Sequence, residues 1–279
     1  KYLSPDRVAE ITQDPSALKL GGEKVPLSLL FSDLSGFTTL SEDMDAQELI
    51  AMLNEYLHDM TDVVFDESGY LDKYIGDAIM AFWNAPRRDS DHARQALRGA
   101  LAMTRAMESL NQRFEADGRP LAKFGIGLNT GSCSVGRIGA RRRLDYTCIG
   151  DAVNVAARIE GLTKMYATTI LIGEDTAAQA ADFALIEIDR VEVKGRESVP
   201  LNIYALAGDE TMARTPRFRE RRQKWQDALT AYRERPIMEA VAADLAEIGV
   251  TANVNFVKLS ALSKSRSFNH FDAAGIRLT

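Results

Sequence analysis

The segment LLFSDLSGFT, residues 29–38, joins an apolar stretch to a polar turn. Val25–Phe31 is short, apolar and rich in Leu, a pattern that predicts a buried strand. Asp33 follows that strand almost directly and stands ahead of a glycine-containing turn. A strong helix is expected next, because Asp45 and Glu48 fit a capping box and apolar residues then recur at helical spacing. An aspartate and a turn therefore lie between a buried strand and an amphipathic helix.

The following segments predict a hairpin and a second helix. Tyr70–Tyr74 and Ala78–Trp83 have strand character and meet at Gly76-Asp77, and a long helix is expected at about Ser90–Ala116. With a strand at Ala122–Leu128, the order is strand, helix, two strands, helix, strand, which is the split βαβ pattern of a ferredoxin-like sheet. We predict further strands at residues 132–138, 146–149, 169–172, 183–193 and 201–206, and a helix at 153–162. The predicted fold class is α+β, a ferredoxin-like sheet with flanking helices.

Composition and charge place the chain among globular proteins. Of its 279 residues, 46% are hydrophobic and 27% charged, and the net charge of -6 argues against a dedicated nucleic-acid binder. Residues 1–24 are predicted to be an N-terminal linker segment with a short helix at 5–12. Residues 25–208 form the main domain, and 209–279 form a helical extension and tail with helices at 217–235 and 237–248.

The chain contains no run of about 18 apolar residues, so we expect no membrane contact within it. Its two cysteines, Cys133 and Cys148, lack metal-ligand spacing, which favours a reducing, cytoplasmic location. Because the chain begins at Lys1, an alternative is that it is the cytoplasmic part of a longer, membrane-anchored protein.

Asp33 and Asp77 form the most informative pair of polar residues. Each stands at the end of an apolar strand or in the turn beside one, and in the predicted topology both can reach one site. Two adjacent carboxylates repel each other unless cations lie between them, and Mg²⁺ prefers carboxylates together with substrate phosphates. Taken singly, each aspartate is more often a turn residue; taken as a pair in this topology, they predict a metal site.

Four short motifs occur in order along the chain: FSDLSGFT at residues 31–38, KYIGD at 73–77, GLNTG at 127–131 and DYTCIGDAVNVAAR at 145–158. Together they resemble the catalytic domain of the class III nucleotidyl cyclases, of the bacterial adenylate cyclase type. The resemblance covers about Val25 to Leu206, and the four motifs in this order are highly specific.

The resemblance implies a two-metal reaction in which the ribose 3′-hydroxyl of ATP attacks the α-phosphate, releasing pyrophosphate and 3′,5′-cyclic AMP. The implied metal ligands, for two Mg²⁺ or Mn²⁺ ions, are Asp33, Asp77 and the Leu34 carbonyl. The implied catalytic residues are Asn154, which orients the ribose, and Arg158, which stabilises charge on the α-phosphate; the alternatives are a helix-capping asparagine and an arginine in a surface salt bridge. The implied phosphate-binding residues are Gly36, Phe37, Thr38 and, more weakly, Lys194.

Lys73 and Thr147 occupy the positions that read the base in this family. Lysine is a donor only, which suits adenine N1, whereas guanylate cyclases carry an acidic residue at the position of Lys73. The Thr147 hydroxyl can accept from the adenine 6-amino group, but it can also donate. ATP is therefore favoured, and a guanylate or dual-specificity cyclase remains the first alternative.

The resemblance also implies a head-to-tail homodimer with shared active sites. One protomer gives Asp33, Asp77 and the phosphate turn, and the other gives the base-reading and catalytic residues. The arginine-rich turn at residues 139–143 would lie on the arm that embraces the partner, although such a run is more often a solvated basic turn. A non-catalytic nucleotide-binding module on the same fold is a second alternative, because a fold does not prove an activity.

Overall fold

A computed structural model describes residues 21–37, 41, 44–140, 143–191, 200–234, 271–272 and 275–276. Its main sheet is mixed, and the strand order is β2-β3-β1-β4-β6-β8-β7, with β5 paired to β4. The strands are β1 (Gly21–Leu34), β2 (Tyr70–Ile75), β3 (Ala78–Trp83), β4 (Phe124–Ala140), β5 (Arg143–Ile149), β6 (Ile170–Gly173), β7 (Ala184–Val191) and β8 (Leu201–Gly208).

The first four strands form the predicted ferredoxin-like unit. β1 pairs antiparallel with both β3 and β4, and β2 pairs antiparallel with β3, so the order across this half is β2-β3-β1-β4. The helices α1 (Ala46–Asp66) and α2 (His92–Ala116) connect these strands as predicted. The split βαβ topology is confirmed.

Two layers of apolar side chains cover the two faces of this half-sheet. On one face α1 and α2 pack over Leu30, Ala81 and Leu128. On the other face β5 and a third helix, α3 (Asp151–Tyr166), pack over Leu27 and Leu29. This arrangement follows from the alternation of side chains along a strand that is buried on both sides.

The start of α1 shows why the sequence predicts it well. Asp45 is the N-cap residue, and its side chain accepts hydrogen bonds from the backbone N–H groups of Gln47, at 2.8 Å, and Glu48, at 3.4 Å. These bonds satisfy donors that a helix start leaves without partners. The predicted cap is confirmed.

The structure differs from the prediction in several lengths. Two separate strands were expected at 122–128 and 132–138, but β4 is continuous over 17 residues because it pairs with β1 along its length. α3 extends beyond the predicted 153–162 at both ends. Two short helices, α4 (Glu174–Gln179) and α5 (Glu210–Arg214), and a two-residue ribbon of β9 (Phe271–Asp272) and β10 (Gly275–Ile276) were not predicted.

Beyond the predicted domain boundary at residue 208, α6 (Pro216–Glu234) forms where a charged helix was expected. Phe218 is buried against β7 and β8, and the Trp225 indole N–H donates to the Glu187 carbonyl at 2.6 Å. This part of the extension therefore packs onto the sheet. The helices predicted at 5–12 and 237–248 lie outside the described residues. Within the described part of the chain, no helix is both long and apolar enough to span a membrane.

Candidate active site

Asp33 and Asp77 lie together at one end of the half-sheet. Asp33 stands next to the last residue of β1, and Asp77 lies in the β2–β3 turn after Gly76, whose φ is +67°. The Asp77 carboxylate accepts from the Leu34 backbone N–H and lies within hydrogen-bonding reach of Asp33. Burial raises the pKa of Asp77, and the negative charge of Asp33 raises it further. The structure thus brings together two of the three predicted metal-ligating residues as side chains and the third, Leu34, as backbone.

This pair has the chemistry of a divalent-cation site. A cation between the carboxylates would remove the repulsion that now raises the pKa of Asp77. Among the described residues, no group of three or more histidine, cysteine or acidic side chains is arranged to hold a metal. Two carboxylates suit Mg²⁺ or Mn²⁺, which take the remaining ligands from phosphates and water.

The helix α3 adds charged residues beside this pair that the sequence prediction missed. Lys164 Nζ lies 3.7 Å from Asp33 Oδ2. Burial, followed by the charge of Asp33, raises the pKa of Glu160 to about 7, and its Oε1 atom has no hydrogen-bond partner among the described residues. A Cβ on Gly125 would come within 2.2 Å of Thr163 Oγ1. The space beside Gly125 is therefore filled by α3, and the cation nearest to Asp33 comes from that helix.

The predicted phosphate turn begins as expected. Gly36 has a φ of +77°, and an added Cβ there would meet no atom within 4 Å, so the turn is open at this position. The Phe37 side chain packs against the core beside α1, leaving its backbone as the part that can face a phosphate. The Ser35 N–H is already engaged by the Lys123 carbonyl at 2.7 Å. Thr38 lies outside the described residues.

The two predicted base-reading residues meet within one chain. Lys73 Nζ donates to Thr147 Oγ1 at 3.2 Å, although the two residues lie on different parts of the sheet, β2 and β5. A third residue, Asp72, completes the group: Thr147 Oγ1 donates to Asp72 Oδ2 at 2.6 Å, and Lys73 Nζ lies 3.2 Å from Asp72 Oδ1. Burial raises the pKa of Asp72, while the hydrogen bond from Thr147 and the charge of Lys73 act in the opposite direction.

Asn154 and Arg158 lie one turn apart on α3, and both are exposed. The N-cap of α3 is Gly150, so Asn154 does not cap it. Within the described part of the chain, neither side chain forms an ion pair or a hydrogen bond, which removes the structural roles considered as alternatives. At about 100° per residue, this pair lies at least roughly 120° around the helix from Glu160 and Lys164. Asn154 and Arg158 therefore point away from the carboxylates of their own chain.

Lys194 and the turn residues Arg141 and Arg142 lie outside the described residues, so their predicted positions stay predictions.

Comparison with known proteins agrees with this geometry. Residues 22–208 match the family described as the adenylate and guanylate cyclase catalytic domain. The chain belongs to this family. It is 39% identical to adenylate cyclase 1 of Rhizobium meliloti over 183 residues, which are 65% of this chain and 27% of the relative. It is also 39% identical to an adenylate cyclase of Anabaena cylindrica over 186 residues, 64% of this chain and 36% of the relative. The chain thus spans about a third of these curated relatives.

Solved structures give the same class of fold. The adenylyl cyclase CyaB from P. aeruginosa is 35% identical with a TM-score of 0.63, covering 67% of this chain and 96% of that one. The guanylyl cyclase Cya2 is 34% identical with a TM-score of 0.59, covering 68% and 95%. The similarity to adenylyl and guanylyl cyclase structures is nearly equal, so the base preference must be argued from the site itself.

Proposed function

We propose that the chain is an adenylate cyclase that converts ATP to 3′,5′-cyclic AMP and pyrophosphate. The observation that carries this proposal is the contact between Lys73 and Thr147 within a fold of the cyclase family. The ammonium can donate to adenine N1, and the hydroxyl can accept from the 6-amino group. Guanine presents a donor at N1 and an acceptor at O6, so the same lysine would face a donor.

Asp33 and Asp77, with the Leu34 carbonyl, would hold the metal ions. When bound, Mg²⁺ or Mn²⁺ would neutralise phosphate charge and favour ionisation of the ribose 3′-hydroxyl. The backbone of the turn at Gly36 and Phe37 would face the phosphates. We extend this role to Thr38 and Lys194 on the basis of the resemblance alone.

Asn154 and Arg158 would act on the reacting atoms. Asn154 can hold the ribose by hydrogen bonds, and the guanidinium of Arg158 can stabilise negative charge that develops at the α-phosphate. Both side chains are exposed and have no partner among the described residues, so they are available to a ligand.

A second copy of the chain would complete each site. Within one chain, Asn154 and Arg158 point away from Asp33 and Asp77, so one copy offers two half-sites. Large apolar side chains at Tyr74, Ile75 and Ile149 are between 44% and 58% exposed and lie within two residues of Lys73 or Thr147. A partner chain would cover them, as exposed apolar patches commonly mark protein interfaces. We therefore propose a homodimer with two shared sites.

Cys133 and Cys148 are both free and buried, which fits a cytoplasmic location. We propose that the domain acts there, where ATP is available.

The second candidate is a guanylate or dual-specificity cyclase. The similarity to Cya2 favours it, because that structure is a guanylyl cyclase at 34% identity. Turnover of ATP and GTP, measured side by side with Mg²⁺ and with Mn²⁺, separates the candidates. We expect cyclic AMP as the main product; cyclic GTP product in excess would favour the second candidate, and no cyclic nucleotide under any of these conditions would contradict both.

A further inference from the structure

Asp72 is a buried carboxylate beside the base-reading pair to which the proposed reaction assigns no role. Its side chain is only 1% exposed. It accepts a short hydrogen bond from the Thr147 hydroxyl, at 2.6 Å, and another from the backbone N–H of Cys148. Burying a carboxylate is unfavourable unless it is paired and hydrogen-bonded, so its place here calls for a physical account.

A bulge in β2 brings Asp72 to this position. The register shifts between Leu71, which faces Ala81, and Lys73, which faces Met80, so Asp72 is an extra residue in the strand. In a regular strand, neighbouring side chains point to opposite faces. Here the side chains of both Asp72 and Lys73 reach Thr147 Oγ1. Bulges of this kind often re-aim side chains next to active sites.

We propose that Asp72 is a positioning residue that sets the Thr147 hydroxyl as a hydrogen-bond acceptor toward the base and so gives ATP its advantage over GTP. This inference rests on the proposed function. A hydroxyl has one proton and two lone pairs. Because that proton is directed to Asp72 Oδ2, only lone pairs remain on the other side of Thr147 Oγ1, where Lys73 now donates.

The consequence for the base follows from its hydrogen-bonding edge. The 6-amino group of adenine is a donor, whereas O6 of guanine is an acceptor. A threonine free to rotate could serve either one. A threonine that is tied to a carboxylate can serve only the amino group, and guanine O6 would face a lone pair. Asp72 thereby gives a threonine the directional property that an aspartate has by itself.

Asp72→Asn tests this role with little change in volume. An amide can donate to Thr147 Oγ1, which releases the hydroxyl proton for guanine O6. We expect the ratio of kcat/KM for ATP to that for GTP to fall about tenfold, the effect of one hydrogen bond. The matched control is Asp189→Asn, since Asp189 also accepts from a hydroxyl, that of Tyr166 at 2.7 Å, but lies on β7. Its ratio should not change.

The same ratio should be measured at equilibrium with 3′-deoxy-ATP and 3′-deoxy-GTP, which lack the attacking hydroxyl and cannot cyclise. Binding then reports base preference independently of turnover. If the Asp72→Asn protein does not fold, as judged by circular dichroism, Asp72→Ser replaces it. A serine hydroxyl can also donate or accept, so the same fall is expected.

A second background separates positioning from a purely structural role. In T147D the new carboxylate is an acceptor by itself, but it stands against Asp72 and the two repel each other. Adding Asp72→Asn supplies a donor in place of that repulsion. We therefore expect Asp72→Asn to lower the ATP preference of the wild type and to raise that of T147D. A structural role would lower stability and activity in both backgrounds.

The outcomes are distinct. An unchanged ATP-to-GTP ratio in Asp72→Asn, with wild type selective for ATP, overturns the inference and leaves the proposed function intact. A wild type that binds the GTP analogue as well as the ATP analogue overturns the inference directly. Wild-type protein that favours the ATP analogue but makes no cyclic AMP contradicts the proposed function, while the binding ratio of Asp72→Asn still decides the role of Asp72.

Discussion

The paired carboxylates define the site at the scale of single residues. Asp33 and Asp77 lie within hydrogen-bonding reach, and burial with mutual repulsion raises the pKa of Asp77. A protein keeps such an arrangement at a cost in stability, which a bound cation would offset.

Asp33→Asn should lower cyclic AMP formation by at least about a hundredfold, because it removes one of two charged metal ligands. Initial rates at saturating Mn²⁺ measure the effect. Asp59→Asn is the control, since Asp59 pairs with Arg113 on α2 and lies outside the site. Activity of Asp33→Asn within a few-fold of wild type would contradict the metal assignment.

His92 offers a prediction about stability and pH. Its Nδ1 atom lies 2.8 Å from Ser28 Oγ, in a buried chain of hydroxyls that continues to Thr130 and Thr176. Burial lowers the pKa of His92, although the charges of Asp89 and Asp91 oppose this. The unfolded chain therefore binds a proton before the folded one, so stability is complete above about pH 6.5 and falls as the pH decreases below that value.

His92→Asn keeps a polar atom near the position of Nδ1 but cannot be protonated. We expect it to remove a part of the acid dependence of the unfolding free energy, of at most about 1.4 kcal/mol per pH unit. Urea unfolding at pH 5 to 8 measures this. His58→Asn, at a side chain that is 74% exposed, should leave the dependence nearly as in wild type. Equal acid dependence in His92→Asn and wild type would argue against the assignment.

Single residues differ in how well the sequence predicts them. Asp33, Asp77 and Lys73 stand in motifs, so pattern alone nominates them. Asp72 does not, because regular alternation would direct it away from Lys73, and only the bulge in β2 reverses that. Glu160 and Lys164 were missed for a related reason: their relation to Asp33 depends on how α3 lies across β4.

At the scale of elements, the close approach of α3 to β4 positions both half-sites. A Cβ on Gly127 would lie 2.2 Å from the backbone nitrogen of Glu160 and 2.5 Å from the Ala156 carbonyl oxygen. Backbone atoms cannot yield as a flexible side chain can. Glycine at this position therefore allows the helix to carry Asn154 and Arg158 at the observed height.

Gly127→Ala should destabilise the fold by about 2 kcal/mol or more and shift α3 outward, because overpacking forces backbone movement. Chemical denaturation gives the free energy of unfolding. The control is Gly161→Ala on α3 itself, where an added Cβ meets nothing within 4 Å. That change should stabilise the helix by about 0.5–1 kcal/mol. Equal stability of the two variants would show that the helix does not rest on the strand as described.

Elements with strong periodicity or a cap were predicted, and those defined by tertiary contacts were not. The Asp45 cap and apolar face fixed α1, whereas β4 was divided in two because GLNTG resembles a break. Pairing with β1, including Leu29 with Asn129 and Leu27 with Gly131, keeps it continuous. α4 and α5 are too short for a helical period to be visible.

At the scale of the whole molecule, the two half-sites face different directions. The carboxylate pair lies under one flank of α3, and Asn154 and Arg158 project from another. Sequence motifs could nominate both sets, but only the fold separates them in space. The proposed dimer joins the carboxylates of one copy to the catalytic residues of the other.

Mixing two inactive variants tests this account most directly. In a dimer of Asp77→Ala with Arg158→Ala, one of the two sites has both residues intact. Random pairing in equal amounts should thus restore cyclic AMP formation to about a quarter of the wild-type rate. A mixture of Asp77→Ala with Asp33→Ala, which damages the same half-site in both chains, should restore none. If differently tagged chains co-purify as mixed dimers and the first mixture still forms no cyclic AMP from ATP, the shared site is contradicted.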